Sequence, residues 1–127
     1  MFLDDFHITV ASLTPSLALV SVSGEIDLYT AERLQQAIGE ATSVGADTVL
    51  LDLSGVGFID STALGVIVQE SKRLEGRGHA LILVTNDPRT VRVLEVTGLD
   101  RVLPRHATLH DALAEYGPQP HVAAAAW

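Results

Sequence analysis

The start of the chain alternates apolar and polar residues before it reaches a turn. Phe6, Ile8 and Val10 are separated by polar residues, which predicts a half-buried strand. Residues 14–16, Thr-Pro-Ser, are predicted to form a turn, and residues 17–23 form a second predicted strand. Two strands with so short a connection are expected to pair antiparallel.

An apolar run, a polar turn and a helical stripe follow one another in the middle of the chain. Residues 49–53 are mostly aliphatic and are closed by Asp52, Ser54 and Gly55, which predicts a short buried strand. Beyond the turn, apolar residues recur every three or four positions, which predicts a helix with Glu70 and its polar neighbours off the core face. The predicted core face consists of Leu64, Ile67, Val68, Ser71 and Leu74.

The same patterns predict the remaining elements. A first helix follows Thr30, its predicted cap, and a strand at residues 79–84 is apolar enough to be buried on both faces. Asp87 is the predicted cap of a helix at residues 88–97, and a short strand is expected at residues 101–103. The apolar stripes of the first and last helices are Leu34, Ala37, Ile38 and Ala41, and Leu109, Ala112, Leu113 and Tyr116.

The helix at residues 88–97 carries more apolar residues than one core-facing stripe requires. They are Val91, Val93, Leu94 and Val96. Either part of this surface docks a partner, or the helix packs between neighbours on two sides.

Helices alternate with strands after the initial hairpin, and this order predicts an α/β fold. Right-handed crossovers would make the later strands parallel, so we expect a mixed sheet covered by about four helices. A chain of 127 residues is the size of one domain, which we assign to residues 1–116. Proline and glycine follow at residues 117–120, and residues 117–127 are expected to form a disordered tail.

The charge balance disfavours two classes of partner. A net charge of −8 repels phosphate backbones and anionic membrane surfaces, so neither nucleic acid nor a membrane is expected as a direct partner. The absence of cysteine fits a reducing compartment. Residues 1–5 show neither the basic nor the apolar region of a signal peptide, so none is expected, and no apolar stretch approaches membrane-spanning length. A soluble, cytoplasmic protein that acts by contacting other proteins is the expectation.

Three polar residues, Asp60, Ser61 and Thr62, lie where the central helix is predicted to begin. Their side-chain oxygens are suited to cap the free N–H groups of a first turn. A phosphate on a hydroxyl there would be tolerated by the helix, because the N-terminal end of a helix favours negative charge. Phosphorylation at a contact surface would therefore change docking without unfolding the domain, although capping alone also explains the three residues.

Sequence patterns for catalysis and metal binding are weak. Residues 59–63 around Ser61 lack both glycines of a nucleophile elbow, and no phosphate-binding Gly-x-x-x-x-Gly-Lys loop occurs. His106 and His110 are four residues apart, but His106 precedes the last helix and no third ligand is evident. We expect no enzyme activity, no metal and no cofactor.

Three motifs resemble the STAS-domain anti-sigma factor antagonists of bacteria. They are residues 23–31 (Ser-Gly-Glu-Ile-Asp-Leu-Tyr-Thr-Ala), residues 58–66 (Phe-Ile-Asp-Ser-Thr-Ala-Leu-Gly-Val) and residues 97–99 (Thr-Gly-Leu), in family order. The similarity spans about residues 6–116 and implies a single-domain STAS fold. Ala63 departs from the glycine that many members carry there.

The resemblance implies a switch by phosphorylation. Ser61 matches the serine that an anti-sigma factor phosphorylates, a serine kinase of the histidine-kinase-like ATPase type, and Thr62 is the alternative acceptor. In that family, only the unphosphorylated antagonist binds the kinase and frees the sigma factor, and a metal-dependent serine phosphatase restores the unphosphorylated form. The implied partner surface comprises Asp27, Tyr29, Thr30, Asp60, Ser61 and Thr62.

Other readings of the same residues remain open. From the residues alone, Asp27 is a turn or helix-entry residue rather than a partner contact. A stand-alone STAS accessory subunit of a membrane transporter, or of another signalling complex, would have a purely structural serine. A small acidic enzyme would use Asp27, Asp60 and Ser61.

Overall fold

A computed structural model describes residues 6–118 of the chain. Its sheet begins with a hairpin of β1 (His7–Thr14) and β2 (Leu17–Ile26), which pair antiparallel. The apolar–polar alternation at the start of the chain therefore forms the predicted antiparallel pair.

Helices and strands alternate after the hairpin, in the order predicted. The strands lie side by side in chain order, and every pairing after the hairpin is parallel. This arrangement confirms the mixed-sheet α/β fold. The elements are α1 (Ala31–Ser43), β3 (Thr48–Ile59), α2 (Ser61–Glu75), β4 (Ala80–Val84), α3 (Pro88–Thr97), a 3₁₀ helix (Leu99–Arg101), β5 (Arg105–His106) and α4 (Leu109–Tyr116).

The two faces of the sheet are covered unequally. Helices α1, α2 and α3 pack on one face over the larger apolar cluster, which includes Leu51 and Leu83. The short helix α4 covers a smaller cluster on the other face, around Leu50 and Ile82. Strand β4 contributes to both clusters, and this confirms the prediction that its apolar run is buried on both sides.

Strands β2 and β3 are longer than predicted. The prediction that Ser54 and Gly55 close β3 is wrong, because the strand continues through both residues to Ile59. A bulge lets it continue: the pairing shifts so that Gly55 lies opposite Ser23. The Asp52 carboxylate stabilises the bulge by accepting hydrogen bonds from the Ser54 amide at 2.9 Å and hydroxyl at 2.6 Å.

The prediction of a strand at residues 101–103 is also wrong. Gly98 ends α3 with a positive φ of 78°, and the chain then turns into the 3₁₀ helix. The Leu103 amide donates to the Leu99 carbonyl at 2.9 Å, so the segment satisfies its own backbone rather than a neighbouring strand. The pairing with β4 begins only at Arg105.

Glu70 is the clearest error in the predicted helix faces. Sequence periodicity assigns it to the polar side of α2, yet only 2% of the residue is exposed. Its carboxylate accepts hydrogen bonds from Arg73 on the same helix, at 2.6 and 3.2 Å, and from Gln35 on α1, at 3.3 Å. Because α1 packs against α2, Glu70 is buried between the two helices, and its carboxylate links them through hydrogen bonds.

The bulge in β3 offers a stability test with a matched control. A Cβ at Gly55 would lie 2.8 Å from the Ser23 Cβ, whereas a Cβ at Gly57 in the same strand would meet nothing within 4 Å. We expect Gly55→Ala to lower the free energy of unfolding by about 1–3 kcal/mol through overpacking. Gly57→Ala is expected to change it by less than about 0.5 kcal/mol. Urea denaturation measures both, and equal effects would contradict the close approach at the bulge.

Candidate functional site

The candidate site lies where two parallel strands end side by side. Ile26, the last residue of β2, pairs with Ile59, the last residue of β3. The Asp60 amide then donates to the Ile26 carbonyl at 3.2 Å. The segments after the two strands, residues 27–30 and 60–62, are therefore neighbours at one edge of the sheet, which we call the carboxyl edge.

Asp27 organises the first segment. Its side-chain Oδ1 accepts hydrogen bonds from the Tyr29 amide at 2.9 Å and the Thr30 amide at 3.1 Å. Its carbonyl accepts from the Thr30 amide at 3.2 Å and the Ala31 amide at 2.9 Å. Asp27 is thus the turn and helix-entry residue that the local sequence indicates.

Thr30 does not have the capping role predicted for it. It precedes α1, but its side chain makes no capping hydrogen bond with that helix. The hydroxyl instead donates to the Glu25 carbonyl at 3.1 Å and accepts from the Asp27 amide at 2.9 Å. Asp27 already accepts hydrogen bonds from the amides at the start of α1. The Thr30 side chain instead links the turn to the end of β2 by hydrogen bonds.

Asp60 caps α2, as the sequence predicts for one of the three polar residues at this position. Its backbone is extended and its Oδ1 accepts from the Ala63 amide at 2.9 Å. Ser61 and Thr62 are the first two residues of the helix and both are exposed. Neither hydroxyl has a hydrogen-bond partner among residues 6–118, so both are available to an approaching protein.

Large exposed apolar side chains lie in or next to the same two segments. Tyr29 is 85% exposed, Leu28 64% and Phe58 53%. Tyr29 was among the predicted partner residues, whereas Leu28 and Phe58 were missed because both lie in stretches that the sequence predicts to be turns. Exposed apolar residues grouped at one edge are typical of a protein-binding surface.

A groove between β3 and α3 extends this surface. It is lined by the last residues of β3 and the first turns of α3. Arg89 crosses it: Nη2 donates to the Gly57 carbonyl at 3.1 Å, and Nε lies 3.7 Å from the Asp87 carboxylate. Val96 on α3 is 74% exposed, so the apolar excess of this helix is not packed between neighbours on two sides.

Asp87 caps α3 at the wall of this groove. Its carboxylate accepts from the Thr90 amide at 3.1 Å and the Thr90 hydroxyl at 3.0 Å. Desolvation acts to raise the pKa of Asp87, but these hydrogen bonds and the nearby Arg89 guanidinium together lower it below its usual value. The charged carboxylate therefore stabilises the folded state, and this contribution is lost only as the pH falls below the usual range for an aspartate.

The two histidines considered as metal ligands have other surroundings. His106 Nε2 lies 3.0 Å from the Glu115 carboxylate, and the His106 ring meets the Tyr116 ring edge-to-face at 5.7 Å. Across residues 6–118, no group of three or more His, Cys, Asp or Glu side chains is placed to hold a metal ion. No helix in the same range is both long and apolar enough to cross a membrane.

Comparison with known proteins identifies the family. The STAS domain matches residues 10–112, most of the chain. The chain belongs to the STAS domain family. The anti-sigma-F factor antagonist RsfB of Mycobacterium tuberculosis is 36% identical over 110 residues, 87% of this chain and 88% of that protein.

Two further relatives carry the same description. The anti-sigma-B factor antagonist of Listeria monocytogenes is 40% identical over 85 residues, 66% of this chain and 74% of that protein. The crystal structure of an anti-sigma factor antagonist from Mycobacterium paratuberculosis gives a TM-score of 0.77 at 35% identity, covering 87% of this chain and 92% of that one. The resemblance inferred from the three motifs is confirmed.

The predicted site residues of this STAS domain come together at the carboxyl edge. Of the six, Asp27, Thr30 and Asp60 have structural hydrogen bonds of their own, while Tyr29, Ser61 and Thr62 are exposed. Their roles in partner binding stay predictions. The expected tail also stays a prediction, since residues 119–127 lie outside the described part of the chain.

Capping of α2 can be separated from charge at the carboxyl edge. Asp60→Ala removes the acceptor of the Ala63 amide and is expected to cost about 1 kcal/mol of unfolding free energy. Asp60→Asn keeps an acceptor oxygen and is expected to cost less than about 0.5 kcal/mol. Thermal or urea unfolding distinguishes the two, and an equal loss for both would show that the carboxylate acts through its charge instead.

Proposed function

We propose that this STAS domain is an anti-sigma factor antagonist whose affinity for its partner is controlled by phosphorylation of Ser61. The observation that carries the proposal is the separation of roles at the start of α2. Asp60 supplies the cap, so the Ser61 hydroxyl is exposed and free to be modified. The relatives' description as anti-sigma factor antagonists supplies the class of partner.

The unphosphorylated form would bind the anti-sigma factor through the carboxyl edge. Leu28, Tyr29 and Phe58 provide apolar area, and aromatic side chains of this kind often carry much of the binding energy in protein interfaces. Asp27 and Thr30 contribute by holding the turn that presents Leu28 and Tyr29. The chain would act by binding, in the cytoplasm, and would release the sigma factor by occupying the anti-sigma factor.

A phosphate on Ser61 would disrupt this contact without disturbing the fold. It adds about −1.5 to −2 charges and three strong acceptors, which the N-terminal end of α2 accommodates. At the contact surface, however, the phosphate joins the carboxylates of Asp27 and Asp60 beside exposed apolar side chains. Docking would then require desolvation of a concentrated negative charge, so release of the partner is the expected result.

A kinase that adds the phosphate and a phosphatase that removes it complete the proposed cycle. The anti-sigma factor itself would be the serine kinase, of the histidine-kinase-like ATPase type, and a metal-dependent serine phosphatase would restore the free hydroxyl. Thr62 is exposed next to Ser61, so the acceptor has to be identified by experiment.

The proposal is tested with purified candidate anti-sigma factor kinases. We expect ATP to release the wild-type domain, Ser61→Ala to stay bound with ATP present, and Ser61→Glu to bind at least about tenfold more weakly, a loss of about 1.4 kcal/mol. Thr62→Ala is the matched control and is expected to respond to ATP like the wild type. Calorimetry or surface plasmon resonance measures binding, and mass spectrometry locates the phosphate.

Two results would overturn the proposed switch. Equal affinity of Ser61→Ala and Ser61→Glu for the kinase would remove the role of charge at this position. Phosphate found only on Thr62, with Ser61→Ala still released by ATP, would move the acceptor to the neighbouring residue. Capture of a transporter ATPase in place of such a kinase would favour the accessory-subunit reading.

A further inference from the structure

Among residues 6–118, the outer edge of the sheet at β1 has none of the usual protection against pairing. Strand β1 has eight residues and, in the described part of the chain, borders only β2, whereas β5 at the opposite edge has two residues. Its sequence, His-Ile-Thr-Val-Ala-Ser-Leu-Thr, contains no Lys, Asp, Glu or Pro, the residues that commonly block edge strands. Its pairing with β2 is regular until the shift after Ser12, so every second residue up to that point directs its N–H and C=O groups away from β2.

A groove runs along this edge on the side covered by α1. Its floor is formed by Ile8 and Val10, which are only partly buried. Its wall is one stripe of α1, with residues three, four and seven positions apart. The stripe consists of Arg33, Gln36, Ala37 and Glu40.

Opposite charges lie at the two ends of this stripe. The Arg33 guanidinium carbon lies 4.7 Å from the centroid of the Phe6 ring, which holds the cation at the start of β1. Glu40 lies seven residues, or about 10 Å, further along the helix. The side chains of Gln36 and Glu40 have no hydrogen-bond or ion-pair partner in the described portion of the chain.

We propose that this surface binds a second copy of the same chain. A two-fold axis through the edge pairs β1 antiparallel with β1 of the second copy and reverses the direction of α1. The stripe is then complementary to itself, because Arg33 of each copy faces Glu40 of the other. The axis passes near Gln36, level with the first half of β1.

The distance between the two α1 helices can be estimated for this arrangement. Neighbouring strands lie about 4.8 Å apart, and α1 contacts β1, β2 and, less extensively, β3, so its axis lies between about half and one strand spacing inside the edge. The two α1 axes are then about 10–14 Å apart, at or beyond the 8–10 Å range of packed helices, so long side chains such as Arg33 and Glu40 make the contact between them. The two sheets become continuous, and the carboxyl edge of each copy remains open to other proteins.

Charge reversal tests the proposed pairing. We expect sedimentation velocity to give a concentration-dependent dimer for the wild type. Arg33→Glu and Glu40→Arg are each expected to weaken association by about tenfold or more, because each places like charges opposite one another. An equimolar mixture of the two variants is expected to associate again, since every Glu then faces an Arg.

A control variant and a cross-link sharpen the test. Arg92→Glu on α3 changes an exposed charge elsewhere and is expected to leave association unchanged. The chain contains no cysteine, so Gln36→Cys introduces a single thiol near the axis that is expected to form a disulfide-linked dimer on mild oxidation. Gln69→Cys, exposed on α2, is expected to remain largely monomeric under the same conditions.

Several outcomes would overturn the proposal. If the protein is monomeric at every accessible concentration, the proposal is wrong. This also applies if the β1 edge binds a strand of a different protein but not a second copy of this chain. Association that ignores both charge reversals, or a mixture of variants that fails to associate, would place any dimer on another surface. None of these outcomes bears on the switch at Ser61, which is tested separately through kinase binding.

Discussion

The parallel pairing of β2 with β3 is the constraint on which the candidate site depends. Both strands end at the same level, and the hydrogen bond from the Asp60 amide to the Ile26 carbonyl extends their contact into the following segments. Two stretches separated by about thirty residues in the sequence thereby form one surface. The bulge at Gly55 is part of this constraint, because it lets β3 continue to the level of Ile26.

Polar residues at the carboxyl edge divide structural and exposed roles between them. Asp27, Thr30 and Asp60 satisfy backbone groups that would otherwise be unpaired. This leaves Ser61 and Thr62 free at the first turn of α2, with exposed apolar side chains nearby. A capped helix can accept a new charge at its first turn without losing the interactions that define its start, which is why the proposed switch acts on docking rather than on folding.

The proposed dimer surface is separate from the carboxyl edge. One lies along the side of β1 and the outer stripe of α1, and the other lies across the ends of β2 and β3. Because the strands run perpendicular to the carboxyl edge, a neighbour added alongside β1 does not cover it. A dimer would therefore present two carboxyl edges, each available to its own partner.

The sequence by itself determined the order and type of nearly every element, since local periodicity, caps and glycines decide where strands and helices form. It also specified the capping of α2 and α3, which depends on residues within one turn, and the three motifs that identify the family. Only the tertiary structure decided the length of β3, the burial of Glu70 and the exposure of Leu28 and Phe58. Each of these depends on a residue distant in the chain, Ser23 opposite the bulge or Gln35 beside Glu70, or on the end of a neighbouring strand. Periodicity along one segment describes which face a residue occupies, but its burial is set by what the rest of the fold packs against that face.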